Sequence, residues 1–175
     1  AYSNAFGIRQ NITASPSTNS VVVVHRASFP RSSGTVLADV SSNGGANWDV
    51  NKFIAWNAST ATNSARYPRA TLLNLPGYSQ GPLLVSAQPV LNGSNGSWGG
   101  LGLSVSTLNG TTLSTQTFSS SPGGDTLHQI PSAVVSTDSK VFILDKNGDI
   151  NSTTFSDILL LTTGTWNGSS VSWSR

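Results

Sequence analysis

The chain contains no cysteine, no methionine and no glutamate among its 175 residues. Without cysteine it has no disulfide, no zinc–thiolate centre and no thiol nucleophile. Charged residues make up only 9% of the chain, against about 25% in an average soluble protein. Serine, threonine, asparagine and glycine take their place, as is typical of secreted and cell-surface β proteins. We therefore expect this protein to be secreted or located at the cell surface.

Long basic runs and long apolar runs are also missing. Nine Lys and Arg residues are dispersed along the chain and give a net charge of +2. Because no basic stripe could follow a phosphate backbone, we do not expect nucleic-acid binding. The longest apolar stretches, Val21 to Val24 and Ile158 to Leu161, have the length of a strand. They are too short to span a bilayer, so membrane insertion is not expected.

What the sequence does contain is a series of short β-branched and apolar runs bounded by Gly, Pro, Asn and Ser. This pattern predicts a single all-β unit, residues 1–175, with very little helix. Twelve strands are predicted, in three groups that occupy approximately residues 1–60, 61–122 and 123–175. The predicted strands are 12–15, 20–27, 35–41, 47–54, 69–74, 82–88, 101–107, 112–118, 132–136, 140–145, 158–163 and 170–174.

The last hairpin of each group turns at an asparagine. These residues, Asn43, Asn109 and Asn167, are spaced 66 and then 58 residues apart, and each is followed by glycine. Asn-Gly is favoured in tight hairpin turns because both residues tolerate a positive φ. In each group the turn follows a pair of apolar strands, so the same order of elements recurs three times.

The segment Ser41-Ser42-Asn43-Gly44-Gly45-Ala46-Asn47-Trp48 resembles the Asp-box, S-x-D-x-G-x-x-W, of sialidase-like and BNR-repeat β-propellers. Asn43 replaces the aspartate. The resemblance implies a β-propeller portion of about three four-stranded antiparallel blades. Under this resemblance Ser41, Asn43, Gly45 and Trp48 are structural, with Asn43 bonding turn amides, Gly45 at positive φ and Trp48 buried between blades. A β-sandwich with ordinary hairpins is the alternative.

Three blades are fewer than a closed propeller requires, since propellers typically have about four to eight. A unit of three blades leaves two open ends. Other copies of the chain, or the remainder of a longer protein, are therefore expected as partners that complete the propeller.

The segment Ala65-Arg66-Tyr67-Pro68 resembles the [FY]-R-x-P motif that opens sialidase domains, although its first aromatic is missing. The resemblance implies that Arg66 binds a ligand carboxylate, whereas the alternative is that it only packs at a blade start. Sialidases also use a tyrosine–glutamate nucleophile pair, which a chain without glutamate cannot supply. We assign no catalytic residue and expect a non-catalytic module for adhesion, carbohydrate binding or assembly. The alternative is part of a sialidase-like glycoside hydrolase whose catalytic residues lie outside this chain.

Two tryptophans lie in loops rich in Asn and Gly. Trp56 and Trp98 are the candidates for an exposed platform that stacks on a glycan ring. The other three, Trp48, Trp166 and Trp173, belong to the repeated hairpins and are expected to pack between blades.

Oxygen-bearing side chains alternate along one further segment, at Asp145, Asn147, Asp149 and Asn151. This spacing resembles the first half of a calcium loop and makes Ca²⁺ a possible ligand. However, the sixth position is Ile150 rather than the glycine of an EF-hand loop. The alternative is a hairpin with Asn147-Gly148 at its tip.

Overall fold

The structure, a computed structural model, describes residues 10–27, 34–58, 64–91, 98–119, 131–148 and 155–175. Within these ranges the chain forms twelve strands and one 3₁₀ turn, Pro16–Thr18. The strands are β1 (Ile12–Ser15), β2 (Ser20–Arg26), β3 (Val36–Ser41), β4 (Asp49–Trp56), β5 (Arg69–Leu73), β6 (Leu83–Leu91), β7 (Trp98–Thr107), β8 (Thr112–Ser119), β9 (Ala133–Ser136), β10 (Lys140–Gly148), β11 (Phe155–Trp166) and β12 (Val171–Ser174).

The strands form three four-stranded antiparallel sheets, each built from strands that follow one another in the chain. The first sheet is β1-β2-β3-β4, the second β5-β6-β7-β8 and the third β9-β10-β11-β12. The prediction of an all-β chain with three four-stranded antiparallel sheets is confirmed. Among the described residues there is no helix of the length and apolarity that crossing a membrane requires.

Alternation of side chains explains why these segments form strands. In β2, Val22 and Val24 are fully buried, while Val21 and Val23, which precede each of them, are partly exposed. Successive residues of a strand point to opposite faces, so the first sheet has one covered and one open face. In β6, by contrast, every residue from Leu83 to Val90 is buried. The second sheet is therefore covered on both faces.

Two apolar layers hold the three sheets together. The first layer joins the first and second sheets and includes Val22, Val24, Val36, Ala38, Phe53, Leu72 and Leu84. The second layer joins the second and third sheets and includes Leu73, Leu83, Val85, Leu103, Val134, Val141 and Ile143. Adjacent residues of β5 and β6, such as Leu72 and Leu73, point into different layers, as the strand period requires.

The first strands of the three sheets lie side by side, because β5 contacts both β1 and β9. Hydroxyl groups connect them. The Leu72 N–H donates to Thr13 Oγ1 at 3.2 Å, and Ser136 Oγ donates to the Leu72 carbonyl at 2.8 Å. Gln10 joins the same region, since its carbonyl accepts the Ala70 N–H at 2.8 Å. The three sheets therefore meet along their first strands, with β5 in the middle.

Candidate functional site

The turn at Asn43 has the hydrogen bonds that its sequence predicts. Asn43 Oδ1 accepts the Asn47 N–H at 2.8 Å and the Ser41 hydroxyl at 3.0 Å. Ser41 Oγ in turn accepts the Gly45 N–H at 2.9 Å. The φ angles of Gly44 and Gly45 are 71° and 96°, in the left-handed region where glycine is favoured. The roles expected for Asn43 and Gly45 are confirmed.

The second and third sheets repeat this turn. In the second sheet Thr107 replaces Ser41, its hydroxyl donating to Asn109 Oδ1 while its oxygen accepts the Thr111 N–H at 3.1 Å. In the third sheet Asn167 Oδ1 accepts the N–H groups of Ser169 and Ser170 at 3.1 and 2.9 Å. Gly110 and Gly168 have φ angles of 100° and 102°. In all three sheets an asparagine side chain thus accepts N–H groups of the last hairpin turn, although the turn of the first sheet is longer than the other two.

The burial expected for Trp48 is wrong. Its side chain is 38% exposed, and its Nε1–H donates to the carbonyl of Gly45 at 2.9 Å. The indole therefore lies over its own turn instead of entering the neighbouring sheet. The turn of the second sheet does meet the first sheet, because a Cβ added to Gly110 would lie 2.8 Å from Phe53 Cβ.

The platform role expected for Trp56 is also wrong, because this side chain is only 5% exposed. Its ring packs on the second sheet at Gly102, where an added Cβ would lie 2.9 Å from Trp56 Cη2 and 2.8 Å from Val90 Cγ1. Gly102 therefore leaves the space that the ring occupies. Trp56 is the residue that fills the boundary between the first two sheets, the role expected for Trp48.

Of the other three tryptophans, two pack against neighbouring parts of the fold, and the side chain of the third is outside the described residues. Trp166, at the end of β11, meets Tyr78 of the β5–β6 loop edge-on with ring centroids 5.5 Å apart. Both rings pack against the second apolar layer, so the predicted packing of Trp166 between sheets is confirmed. Trp173 packs against the second apolar layer. Trp98 begins β7 opposite Leu91, and its side chain lies outside the described residues, so its platform role stays a prediction.

The candidate calcium residues lie only partly in the described chain. Asp145 is fully buried in β10 opposite Leu160, and Asn147 lies further along the same strand. Asp149 and Asn151 lie outside the described residues. Since β10 continues through Gly148, which pairs with Phe155, the expected hairpin tip at Asn147-Gly148 is wrong. In the described ranges no cluster of three His, Asp or Glu side chains suits a metal ion.

Arg66 lies where the first two sheets meet. Ala65 forms an antiparallel bridge with Val90, and its N–H donates to the Gly34 carbonyl at 2.9 Å. The Arg66 N–H donates to the Pro89 carbonyl at 3.1 Å. These bonds fix the backbone of Arg66 beside the last residues of β6, at the end of the sheet away from the Asn109 turn.

A second arginine, Arg26, lies close to Arg66. Arg26 is the last residue of β2 and pairs with Val36, the first residue of β3, at the end of the first sheet away from the Asn43 turn. Partial burial lowers the pKa of the Arg26 guanidinium, the positive charge of Arg66 lowers that pKa further, and Tyr67 acts in the opposite direction. The Arg26 guanidinium is nevertheless charged at neutral pH.

Sequence reasoning missed Arg26 because 40 residues separate it from Arg66. Two hydrogen bonds bring the backbones of the two arginines together, because Gly34 accepts the Ala65 N–H and the next residue, Thr35, accepts the Ala27 N–H. No local sequence pattern predicts these bonds. Tyr67 adds a further unusual feature, because its φ of 46° is uncommon for a bulky residue. Residues held in such conformations are concentrated at binding sites. Arg26, Arg66 and Tyr67 together are the candidate site, which we call the arginine pair site.

No protein-family model matches the chain, and neither curated proteins nor solved structures show a significant match to it.

Proposed function

We propose that this chain is a non-catalytic, BNR-like propeller module that binds an acidic glycan at the arginine pair site. The observation that carries the proposal is the proximity of Arg26 and Arg66 at the ends of two neighbouring sheets. The Asp-box-like turns support the propeller relationship, because an asparagine-closed hairpin turn occurs in each sheet.

A carboxylate suits this site for two reasons. A guanidinium presents parallel N–H donors that match the two oxygens of a carboxylate. Two like charges held close together also raise the local positive potential, which an anion relieves. Both arginines lie at the sheet ends away from the asparagine turns, so a ligand there would not compete with the turn hydrogen bonds.

A role in adhesion or carbohydrate binding agrees with a secreted or cell-surface location, which we propose from the low charge of the chain. The alternative function is part of a sialidase-like glycoside hydrolase. That alternative requires a glutamate from elsewhere, since none is present in these 175 residues.

The proposal is tested by titrating the purified chain with sialyllactose, which carries a carboxylate, and with lactose, which does not. We expect binding of sialyllactose alone. Arg66→Ala and Arg26→Ala should each weaken it by at least about tenfold, the worth of a hydrogen bond to a charged group. Lys140→Ala, which removes an exposed cation of the third sheet, is the matched control and should leave affinity unchanged.

Equal affinity for the two sugars would contradict the role of the arginine pair. Failure of sialyllactose to bind at millimolar concentration would contradict the acidic-glycan proposal as a whole.

A further inference from the structure

The two outer sheets each have one face that packs on no other sheet of the described chain and carries exposed apolar side chains. We call the face of a sheet that is directed toward the next sheet in the chain its downstream face and the opposite one its upstream face. In the third sheet, the face packed on the second sheet is the upstream face and the other is the downstream face. Within the chain, the downstream face of the first sheet packs on the upstream face of the second. The downstream face of the second sheet packs on the upstream face of the third in the same way. This leaves open the upstream face of the first sheet and the downstream face of the third.

The downstream face of the third sheet is apolar and exposed. Val135 pairs with Phe142, and Leu144 pairs with Leu161, so these side chains share one face across β9, β10 and β11. Leu161 is 54% exposed and Val135 50%. Leu159 extends the patch along β11 and is 55% exposed. Contiguous apolar surfaces of this kind mark interaction sites.

The upstream face of the first sheet is apolar as well. Ile12 pairs with Val23, and Leu37 pairs with Ile54, which places all four on the face opposite to buried Val22. Leu37 is itself buried, whereas Ile54 is 38% exposed. Ile12 is 55% exposed. Two polar groups on this face are paired with each other, because His25 Nε2 lies 3.1 Å from Asp39 Oδ1.

We infer that the downstream face of the third sheet docks on the upstream face of the first sheet in a second copy of this chain, and that two copies close into a pair of six sheets. The chain itself shows what covers such faces, since at both internal boundaries a downstream face is covered by an upstream face. A net charge of only +2 per copy gives little repulsion between copies. The inference is independent of the arginine pair site.

The size of the faces favours a closed pair over a single contact. Four strands about 4.8 Å apart, with five residues that rise about 3.3 Å each, outline a face of about 300 Å². One contact, counted on both partners, buries about 600 Å², which is in the range of crystal packing. Closing the pair doubles this to about 1,200 Å², the lower end of stable interfaces. Six sheets also lie within the usual range for closed propellers, about four to eight.

The test measures the molar mass of the chain in solution as a function of concentration. We expect a dimer for the wild-type chain. Leu161→Arg and Ile12→Arg should each raise the dimer dissociation constant at least about a hundredfold, because each buries an unpaired charge. Gln116→Arg adds the same charge at an exposed position of the covered second sheet and should leave the dimer intact.

Mixing the two disruptive variants distinguishes head-to-tail docking from contact between like faces. The Leu161→Arg variant has an unchanged upstream face, and the Ile12→Arg variant has an unchanged downstream face. An unchanged upstream face can therefore meet an unchanged downstream face only when the two variants are mixed. Because one intact contact buries only about 600 Å², we expect weak association of the mixture at the highest concentrations, which neither variant shows alone. If the Leu161→Arg or Ile12→Arg substitution lowers the melting temperature of the chain, the experiment is repeated with Leu161→Ser and Ile12→Ser.

Two results would overturn the inference. A wild-type chain that stays monomeric at the highest soluble concentration would assign these faces to other partners, such as further sheets of a longer protein. A dimer lost in Leu161→Arg but unaffected by Ile12→Arg would show that two downstream faces pair with each other.

Discussion

At the scale of single residues, Asn43 organises the first repeated turn through one side-chain oxygen. That oxygen accepts the Asn47 N–H and the Ser41 hydroxyl within the turn, and Ser41 in turn accepts the Gly45 N–H. Because the partners lie within four positions of Asn43, the turn is stabilised without any contact from another sheet.

We predict that Asn43→Ala lowers the free energy of unfolding by about 1 kcal/mol, the usual value of a hydrogen bond. In a chain of this size the loss corresponds to a fall of about 2–4 °C in melting temperature. Asn43→Asp keeps an accepting oxygen and should retain the wild-type value in the same thermal melt. An Asn43→Ala variant as stable as the wild type would contradict the role of the side chain.

Trp48 and Trp56, at opposite ends of β4, should differ sharply in their contribution to stability. We predict that Trp56→Ala costs about 3–5 kcal/mol, as for other buried aromatics. Trp48→Ala should cost about 1 kcal/mol or less, since this ring is partly exposed and its single hydrogen bond is replaceable by water. Urea titrations of the two variants give both values. The reverse order would restore Trp48 as the boundary residue.

The contrast between the asparagine turns and the tryptophans shows which residues are predictable from sequence. Asn43 is predictable because its partners are its neighbours in the chain. Trp56 is not, because its burial depends on the space at Gly102, in another sheet. The same reason applies to Arg26, because the hydrogen bond from the Ala65 N–H to the Gly34 carbonyl is what places Arg66 beside it.

At the scale of elements, the strands are predictable from the sequence because apolar and polar side chains alternate along them with a period of two residues. All twelve predicted strands are present in the described ranges, and the largest differences are at their ends. β11 extends from Phe155 to Trp166, beyond the predicted 158–163, because Thr and Gly at its end carry no apolar alternation. β4 ends at Trp56 and not at residue 54, and its pairing with β3 shifts register on both sides of Leu37 and Ala38.

The side-by-side contact of the first strands depends on a hydroxyl, which gives a prediction for β1 and β5. Thr13→Val removes the acceptor of the Leu72 N–H while it keeps the shape of the side chain. We expect a loss of about 1–3 kcal/mol, because a buried donor is left unsatisfied. Hydrogen exchange of the Leu72 amide should accelerate more than that of Leu103, inside the second sheet. Thr115→Val, at an exposed position of β8, is the control, and an unchanged Leu72 amide would contradict the link.

At the scale of the whole molecule, we predict that the isolated chain has no sialidase activity. The mechanism of sialidases requires a glutamate to activate the nucleophile, and this chain has none. Each missing transition-state group costs about a hundredfold or more in rate. The purified chain, assayed on a fluorogenic sialoside with and without calcium, should therefore give no turnover above background. Turnover that Arg66→Ala abolishes would refute the non-catalytic proposal.

The succession of strands in the three sheets has a consequence for folding kinetics. Each strand pairs with the next in the chain, so most backbone pairing joins residues of small sequence separation. Proteins of low contact order fold faster than β proteins in which distant segments must meet first. We expect each sheet to assemble as a local unit, and docking along the first strands to follow. Refolding should therefore be faster than that of a Greek-key sandwich of equal length.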